Sequence, residues 1–121
     1  MSRRIQIGAV TYLNTKPLIH QLDQLAPEAD LLLDLPSRLA DQLSAGLLDV
    51  ALIPIVEVFR GNGYRILPNM AIASNGPVLS VTVFSKVPCP NIRTLALDEG
   101  SRTSAALVQV LLKNRYGCQL E

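Results

Sequence analysis

Residues 5–17 read IQIGAVTYLNTKP, and this stretch decides the fold class. Its first six residues, Ile5–Val10, are apolar with one polar interruption, which is typical of a strand buried in a parallel sheet. Asn14 or Thr15 can cap a helix, and Pro17 is acceptable in a first helical turn. The pattern therefore predicts a β-strand that passes directly into a helix.

The alternation of strand and helix continues to residue 61. We expect further strands at Leu31–Leu35 and Asp49–Ile53. Ser37 caps the helix between them, and Pro54 begins a short helix that ends at Gly61. The order strand–helix–strand–helix–strand requires right-handed crossovers, so it predicts a parallel sheet. The leucines predicted to face the sheet are Leu18, Leu22 and Leu25 in the first helix and Leu39, Leu43 and Leu47 in the second.

The second half of the chain predicts the beginning of another α/β unit. Val78–Phe84 alternates like a strand and follows a turn at Ser74–Pro77. Beyond a proline-rich linker at residues 88–90, Thr94–Leu97 predicts a strand and residues 102–113 predict a helix. The leucines on the apolar face of that helix are Leu107, Leu111 and Leu112.

These patterns divide the chain into two α/β lobes. We expect an incomplete first lobe over residues 1–86 and the start of a second lobe over residues 87–121. One strand and one helix cannot bury both faces of a sheet, so the remainder of the second lobe is expected to be missing from this chain.

The composition is that of a globular protein. The 121 residues fit one domain or part of a larger protein, with 49% hydrophobic and 17% charged residues. The net charge is +1 and aromatic residues are 4%, which disfavours nucleic-acid binding because a basic stripe and stacking rings are lacking. The apolar runs are too short to span a bilayer, so no membrane insertion is expected.

The chain begins with two arginines before apolar residues, as a signal peptide does. The apolar segment stops at Thr11, too early for a secretory signal, so we expect a cytoplasmic protein. Cys89 and Cys118 lack metal-binding or redox spacing and are expected to be reduced. Helical spacing places His20, the only histidine, on the solvent face. Neither a metal nor a cofactor is predicted, since metal-binding, nucleotide-binding and nucleophile motifs are lacking.

Three polar clusters are candidates for ligand binding, and each also has a structural interpretation. Asn14–Lys16 lie where parallel sheets bind ligands, and they either cap the next helix or bind a carboxylate or hydroxyl; spacing alone favours the cap. Ser80 faces either the polar side of a sheet or a ligand. Ser101–Ser104 open the last helix as an N-cap with a surface arginine, or they bind an anion. From the residues alone, the chain is an α/β binding lobe for a small anionic molecule.

Four stretches of the chain resemble one known family in sequence and in order. They are IGAVTYLNTKPL at 7–18, DVALIPIVEV at 49–58, SNGPVLSVTVFS at 74–85 and DEGSRTSAALVQVLL at 98–112. All four resemble chorismate dehydratase of the futalosine route to menaquinone. The resemblance implies the fold of type II periplasmic binding proteins, with two α/β lobes around a cleft, and implies a longer protein of which this chain is the amino-terminal part. It also implies that water is eliminated from chorismate, a dianion, to give 3-(1-carboxyvinyloxy)benzoate without metal or organic cofactor.

The resemblance implies roles for residues of all three polar clusters. Asn14 is expected to orient the enolpyruvyl group, and Ser80 to hydrogen-bond the departing oxygen or a carboxylate. The first strand's end and the last helix's start are then expected to converge on the substrate. The remaining substrate contacts implied are Thr11, Tyr12, Thr15 and Lys16 after the first strand and Ser101, Arg102, Thr103 and Ser104 at the last helix, where Arg102 adds charge.

Two other functions remain open at this point. One is a non-catalytic binding module for a small carboxylate, such as a solute receptor or the effector domain of a regulator, because both use the same architecture. The other is the sister enzyme that makes dihydroxynaphthoate later in the same route, whose opening signature differs. We also expect the 121-residue portion to be inactive by itself, since half a cleft does not exclude water.

Overall fold

The strand predicted at Ile5–Val10 (β1) is present with the same bounds in the computed structural model, which describes residues 3–121. It lies at the centre of a three-stranded parallel sheet with the order β2-β1-β3. β2 (Ala29–Asp34) pairs with β1 along its whole length, from Ile5 opposite Ala29 to Val10 opposite Asp34. β3 (Val50–Ala51) pairs with Ile7 and Gly8. The α/β class and the parallel arrangement are confirmed, and the fold of type II periplasmic binding proteins stays a prediction.

The continuous helix predicted after β1 is wrong. A 3-10 helix at Leu13–Thr15 is followed by turns and by a helix of only four residues, α1 (Leu22–Leu25). Gln21 has a φ of 55°, in the left-handed region, and this conformation interrupts the helix between the leucines of the predicted stripe. Leu25, expected to face the sheet, is 76% exposed.

The second predicted helix is present as α2 (Pro36–Ser44), with two corrections. Ser37 is not its cap, because Pro36 occupies the first turn and the preceding residue is Leu35, which makes no side-chain capping bond. Leu47 is 64% exposed, since the helix ends before it and does not carry it toward the sheet. The third helix, α3 (Val56–Phe59), begins two residues after the predicted Pro54.

The core of this first unit lies on one part of β1. Val10, Leu39 and Leu48 are buried together, and partly buried side chains pack around them. Gly8 permits this packing, because a Cβ atom added there would lie 2.6 Å from Leu48 Cδ1 and 2.8 Å from Leu39 Cδ2. The partly buried side chains are those of Leu43, Ala51, Leu52 and Ile53.

Charged side chains hold the amino ends of the strands. Arg3 contacts Asp49 at 3.0 Å, and Arg4 Nε donates to Asp30 Oδ1 at 2.8 Å. Gln6 also donates to Asp30, and its amide is the larger cause, ahead of Arg4, of a pKa for Asp30 below the usual range. These pairs are exposed to solvent, so each is expected to contribute little to stability.

Residues up to Ala73 and residues from Ser74 onward form two separate compact units. In the second unit, α4 (Arg102–Tyr116) confirms the last predicted helix and extends it by three residues to a left-handed Gly117. Leu112 is buried with Ile92 and Cys118, whereas Leu107 and Leu111 are exposed. The lobe boundary expected between residues 86 and 87 stays a prediction.

Two strands predicted in the second unit are wrong. Within residues 3–121, neither Val78–Phe84 nor Thr94–Leu97 forms a strand, and the residues predicted as a linker include a 3-10 helix, Cys89–Asn91. A strand requires a neighbour for its backbone hydrogen bonds, and every strand that the described residues contain belongs to the first unit. Cys118, a free thiol like Cys89, donates from Sγ to the Cys89 carbonyl oxygen at 3.0 Å.

Substituting Gly8→Ala tests the close packing on β1. The added methyl group overlaps the ends of two core leucines, so we expect a loss of about 1–3 kcal/mol in the free energy of unfolding. Urea denaturation of the whole chain measures this loss. Gly100→Ala is the matched control, since a Cβ there meets atoms no closer than 3.6 Å. Equal stability of the two variants would show that the core does not depend on Gly8.

Candidate functional site

The carboxyl end of β1 is where the strand order of the sheet reverses. The chain leaves β1 for β2 on one side and then crosses to β3 on the other side. Ligands of open α/β sheets bind at such a reversal, outside the carboxyl ends of the strands. Residues 11–16, predicted from the sequence as a binding segment, follow β1 directly at this position.

Asn14 is exposed in the 3-10 helix that follows β1. It does not cap a helix, although the sequence spacing favoured that role. The residue before that helix is Tyr12, and the residue before α1 is Gln21; neither helix has a side-chain capping bond. The structural interpretation of Asn14 and Thr15 as helix caps is therefore wrong. The Asn14 amide is presented to solvent at the carboxyl edge, where it can donate and accept hydrogen bonds.

The other residues of this segment differ sharply in exposure. Thr11, Tyr12 and Lys16 are exposed, and Thr11 N donates to the Asp34 carbonyl oxygen at 3.3 Å. Thr15, by contrast, is completely buried. The edge therefore offers an amide, a hydroxyl, a phenol and an ammonium group to solvent and keeps a second hydroxyl covered.

Two carboxylates near this edge were not identified from the sequence. Asp34, the last residue of β2, accepts from Leu35 N, just before α2, at 2.8 Å and from Gln42 Nε2, within α2, at 3.1 Å. Glu57 in α3 is buried, and its Oε1 accepts from Arg60 Nη1 at 2.8 Å. An acid between two valines in an apolar stretch was the signal for Glu57. Asp34 is thus engaged by α2 and by the residue before it, and Glu57 by the residue that follows α3, which is a structural role in both cases.

The entrance of α4, in the second unit, brings together Ser101–Ser104, all half-buried. Ser101 precedes the helix as predicted, but its hydroxyl makes no capping bond to the helix backbone. It donates instead to the carboxylate of Asp98, which also accepts from Gly100 N at 3.1 Å. These two bonds, the Ser101 hydroxyl first, hold the pKa of Asp98 below its usual range.

Ser80 lies in an exposed turn and not in the predicted strand. Val81 N donates to the Val78 carbonyl oxygen at 3.3 Å, which places Ser80 inside this turn. The serine hydroxyl is therefore presented on a loop, so its expected place on a sheet face is wrong, and its contact with a ligand stays a prediction.

Comparison with known families bears directly on these clusters. The model of the family described as menaquinone biosynthesis matches residues 5–121, all but the first four residues of the chain. The chain belongs to this family. The match includes every predicted site residue, from Thr11 to Ser104, so both polar clusters and the Ser80 turn lie in the part shared with the menaquinone biosynthesis family.

Three further expectations concern the only histidine, metal binding and membrane insertion. His20 is exposed, as predicted, but it lies in a turn and not in the predicted helix. Between residues 3 and 121, histidine, cysteine and acidic side chains form no group of three that could hold a metal ion. Over the same residues, no helix has the length and apolar character that crossing a membrane requires. Convergence of the two clusters on one ligand stays a prediction.

The pKa of Asp98 provides a test of the α4 entrance. Ser101→Ala removes the hydroxyl that lowers this pKa most, so the pKa is expected to rise toward 3.8, as followed by an NMR titration of the carboxyl carbon. Because the folded-state pKa is the lower one, the stability from Asp98 is present above the unfolded pKa and is lost as pH falls through the folded pKa. Ser104→Ala is the control, and an unchanged Asp98 titration in Ser101→Ala contradicts this assignment.

Proposed function

We propose that this chain is the amino-terminal part of a chorismate dehydratase, which eliminates water from chorismate to give 3-(1-carboxyvinyloxy)benzoate. The observation that carries the proposal is the exposed Asn14 amide at the carboxyl edge of β1, which no helix uses as a cap. Membership in the menaquinone biosynthesis family supports a substrate from that route. The proposed fold is that of type II periplasmic binding proteins, and the proposed location is the cytoplasm.

The proposed reaction needs orientation more than a strong protein base. A ring C–H bond and the allylic C–O bond break, the ring becomes aromatic, and the proton and hydroxide leave together as water. Aromatisation drives the reaction, so the protein has to hold the substrate and stabilise charge at the departing oxygen. The substrate's own enolpyruvyl carboxylate is the proposed proton acceptor. This agrees with the engagement of Asp34 and Glu57 by neighbouring side chains.

The proposed contacts at the carboxyl edge of β1 orient the enolpyruvyl group. Asn14 supplies an amide that can donate to the ether or carboxylate oxygens of that group. Lys16 adds a positive charge two residues later, which favours a dianionic substrate over a neutral one. Thr11, Tyr12 and Thr15 are the further contacts proposed on this edge.

The proposed contacts in the second unit hold the other polar groups of the substrate. Ser80 donates to the departing oxygen from its turn, and Ser101, Thr103 and Ser104 bind a carboxylate at the start of α4. Arg102 adds charge at the positive end of the helix dipole. Asp98 already accepts the Ser101 hydroxyl and Gly100 N, so a substrate carboxylate has to use the remaining donors or displace this acid.

The assay that tests the proposal incubates the protein with chorismate and follows the products by chromatography. It is run on the 121-residue chain and on a version extended by the remainder of the second lobe. We expect the extended version to form the aromatic ether. Chorismate that binds and returns unaltered would favour a binding module, and chorismate that does not bind would favour the later enzyme of the route.

Asn14→Ala in the extended version is expected to lower kcat/KM for chorismate at least about tenfold, which corresponds to about 1.4 kcal/mol of transition-state stabilisation. The reason is the loss of the amide that orients the enolpyruvyl group. Asn62→Ala is the control, because Asn62 is also an exposed asparagine of the first unit. A kcat/KM equal to that of the control removes Asn14 from the mechanism.

Ser80→Ala is expected to lower kcat by at least about tenfold, with a smaller effect on KM, because the proposed bond to the departing oxygen strengthens as the C–O bond breaks. Ser85→Ala is the matched control on the same exposed segment, where the Ser85 hydroxyl donates to the Val87 carbonyl oxygen at 2.7 Å. Steady-state kinetics separate the two parameters. A loss confined to KM reduces Ser80 to a binding contact.

A further inference from the structure

The hydroxyl of Thr15 is buried without a hydrogen-bond partner among residues 3–121. Its Oγ1 atom is covered by the protein and bonds to no other group. The backbone of the same residue is satisfied, since Thr15 N donates to the Tyr12 carbonyl oxygen at 3.1 Å and the Thr15 carbonyl oxygen accepts from Leu18 N at 2.9 Å. Only the side-chain oxygen is unpaired.

A buried hydroxyl without a partner destabilises a folded chain, because it gives up its bonds to water and gains none in return. Valine has the same shape as threonine and carries a methyl group in place of the hydroxyl. Packing in the ligand-free chain therefore gives no reason for an oxygen at position 15.

The position of Thr15 points to a partner outside the protein. The residue lies between exposed Asn14 and exposed Lys16, at the carboxyl end of the central strand, where ligands of such sheets bind. The segment around it is a single 3-10 helix of three residues, of which only Thr15 is buried, while its first residue, Leu13, is 83% exposed.

We infer that residues 12–16 rearrange when substrate binds, so that the buried Thr15 hydroxyl donates a hydrogen bond to a carboxylate of the substrate. This inference rests on the proposed function, because it takes a dianionic metabolite as the molecule bound at the carboxyl edge of β1. A hydroxyl that donates to a carboxylate forms a stronger bond than one between neutral groups, and Lys16 adds positive charge beside it. Residues 12–16 thus cover the Thr15 hydroxyl in the free chain and expose it to the ligand on binding.

Two substitutions at position 15 separate stability from binding in the 121-residue chain. Thr15→Val removes the hydroxyl and keeps the shape, so we expect a higher thermal midpoint and an affinity for chorismate at least about tenfold weaker by calorimetry. Thr15→Ser keeps the hydroxyl and loses a methyl group, so we expect a lower midpoint and an affinity close to that of the unaltered chain. The two variants are therefore expected to shift the thermal midpoint in opposite directions, and only Thr15→Val is expected to weaken chorismate binding.

The outcomes distinguish this inference from the proposed function. A lower midpoint for Thr15→Val shows that the hydroxyl has a partner inside the protein, and an unchanged affinity for chorismate shows that the substrate does not use it; either result overturns the inference alone. If the unaltered chain does not bind chorismate, the inference fails, and turnover by the extended version decides the proposed function independently.

Hydrogen exchange tests the rearrangement itself. In the free chain, Thr15 N and Lys16 N donate to the carbonyl oxygens of Tyr12 and Leu13, each at 3.1 Å. Chorismate is expected to change the exchange rates of these two amides. The amides of Ala45 and Gly46, after α2, serve as the reference for indirect effects. Identical exchange at positions 15 and 16 with and without chorismate contradicts the rearrangement.

Discussion

The first unit depends on the lack of a side chain at Gly8. Leu39 from α2 and Leu48 from the segment before β3 approach the central strand so closely that a Cβ atom there would overlap both leucines. The same two leucines bury Val10 at the end of β1. Close packing in one place therefore holds α2, the entry to β3 and the carboxyl end of β1 together. The candidate binding segment begins directly after Val10, at the end of β1 that this packing holds.

Local sequence signals predicted the elements that carry their own core contacts. β1 and α4 were placed correctly because an apolar segment and a helical stripe ending near a glycine are both readable over short distances. The prediction of a continuous helix after β1 was wrong, because the left-handed conformation of Gln21 has no local sequence signature. The prediction of a strand at Val78–Phe84 was wrong for another reason. Alternation shows that a segment can form a strand, but a strand exists only beside a neighbour that accepts its hydrogen bonds.

The candidate site was predictable by residue type but not by geometry. The motif placed Asn14 and Thr15 together, whereas the structure exposes the amide of one and buries the hydroxyl of the other. Adjacent side chains diverge by about 100° in an α-helix and about 120° in a 3-10 helix, so the residue types alone did not determine which of the two faces the core. At the entrance of α4, Asp98 competes for donors that the sequence had assigned to a ligand. In the second unit, the Asp98 carboxylate thus already occupies donors that a bound anion would need.

The order of the strands also governs how the sheet is assembled during synthesis. β1 leaves the ribosome before both of its neighbours, so its backbone N–H and C=O groups stay unpaired on one side until β2 follows and on the other side until β3 follows. β2 makes the longer and earlier of the two pairings, and β3 completes the sheet with only two residues. In chain order, β1, β2 and α2 are therefore synthesised before Leu48, the third member of the buried cluster on β1. Until then the cluster lacks one of its three buried side chains, and apolar surface exposed in this way favours aggregation.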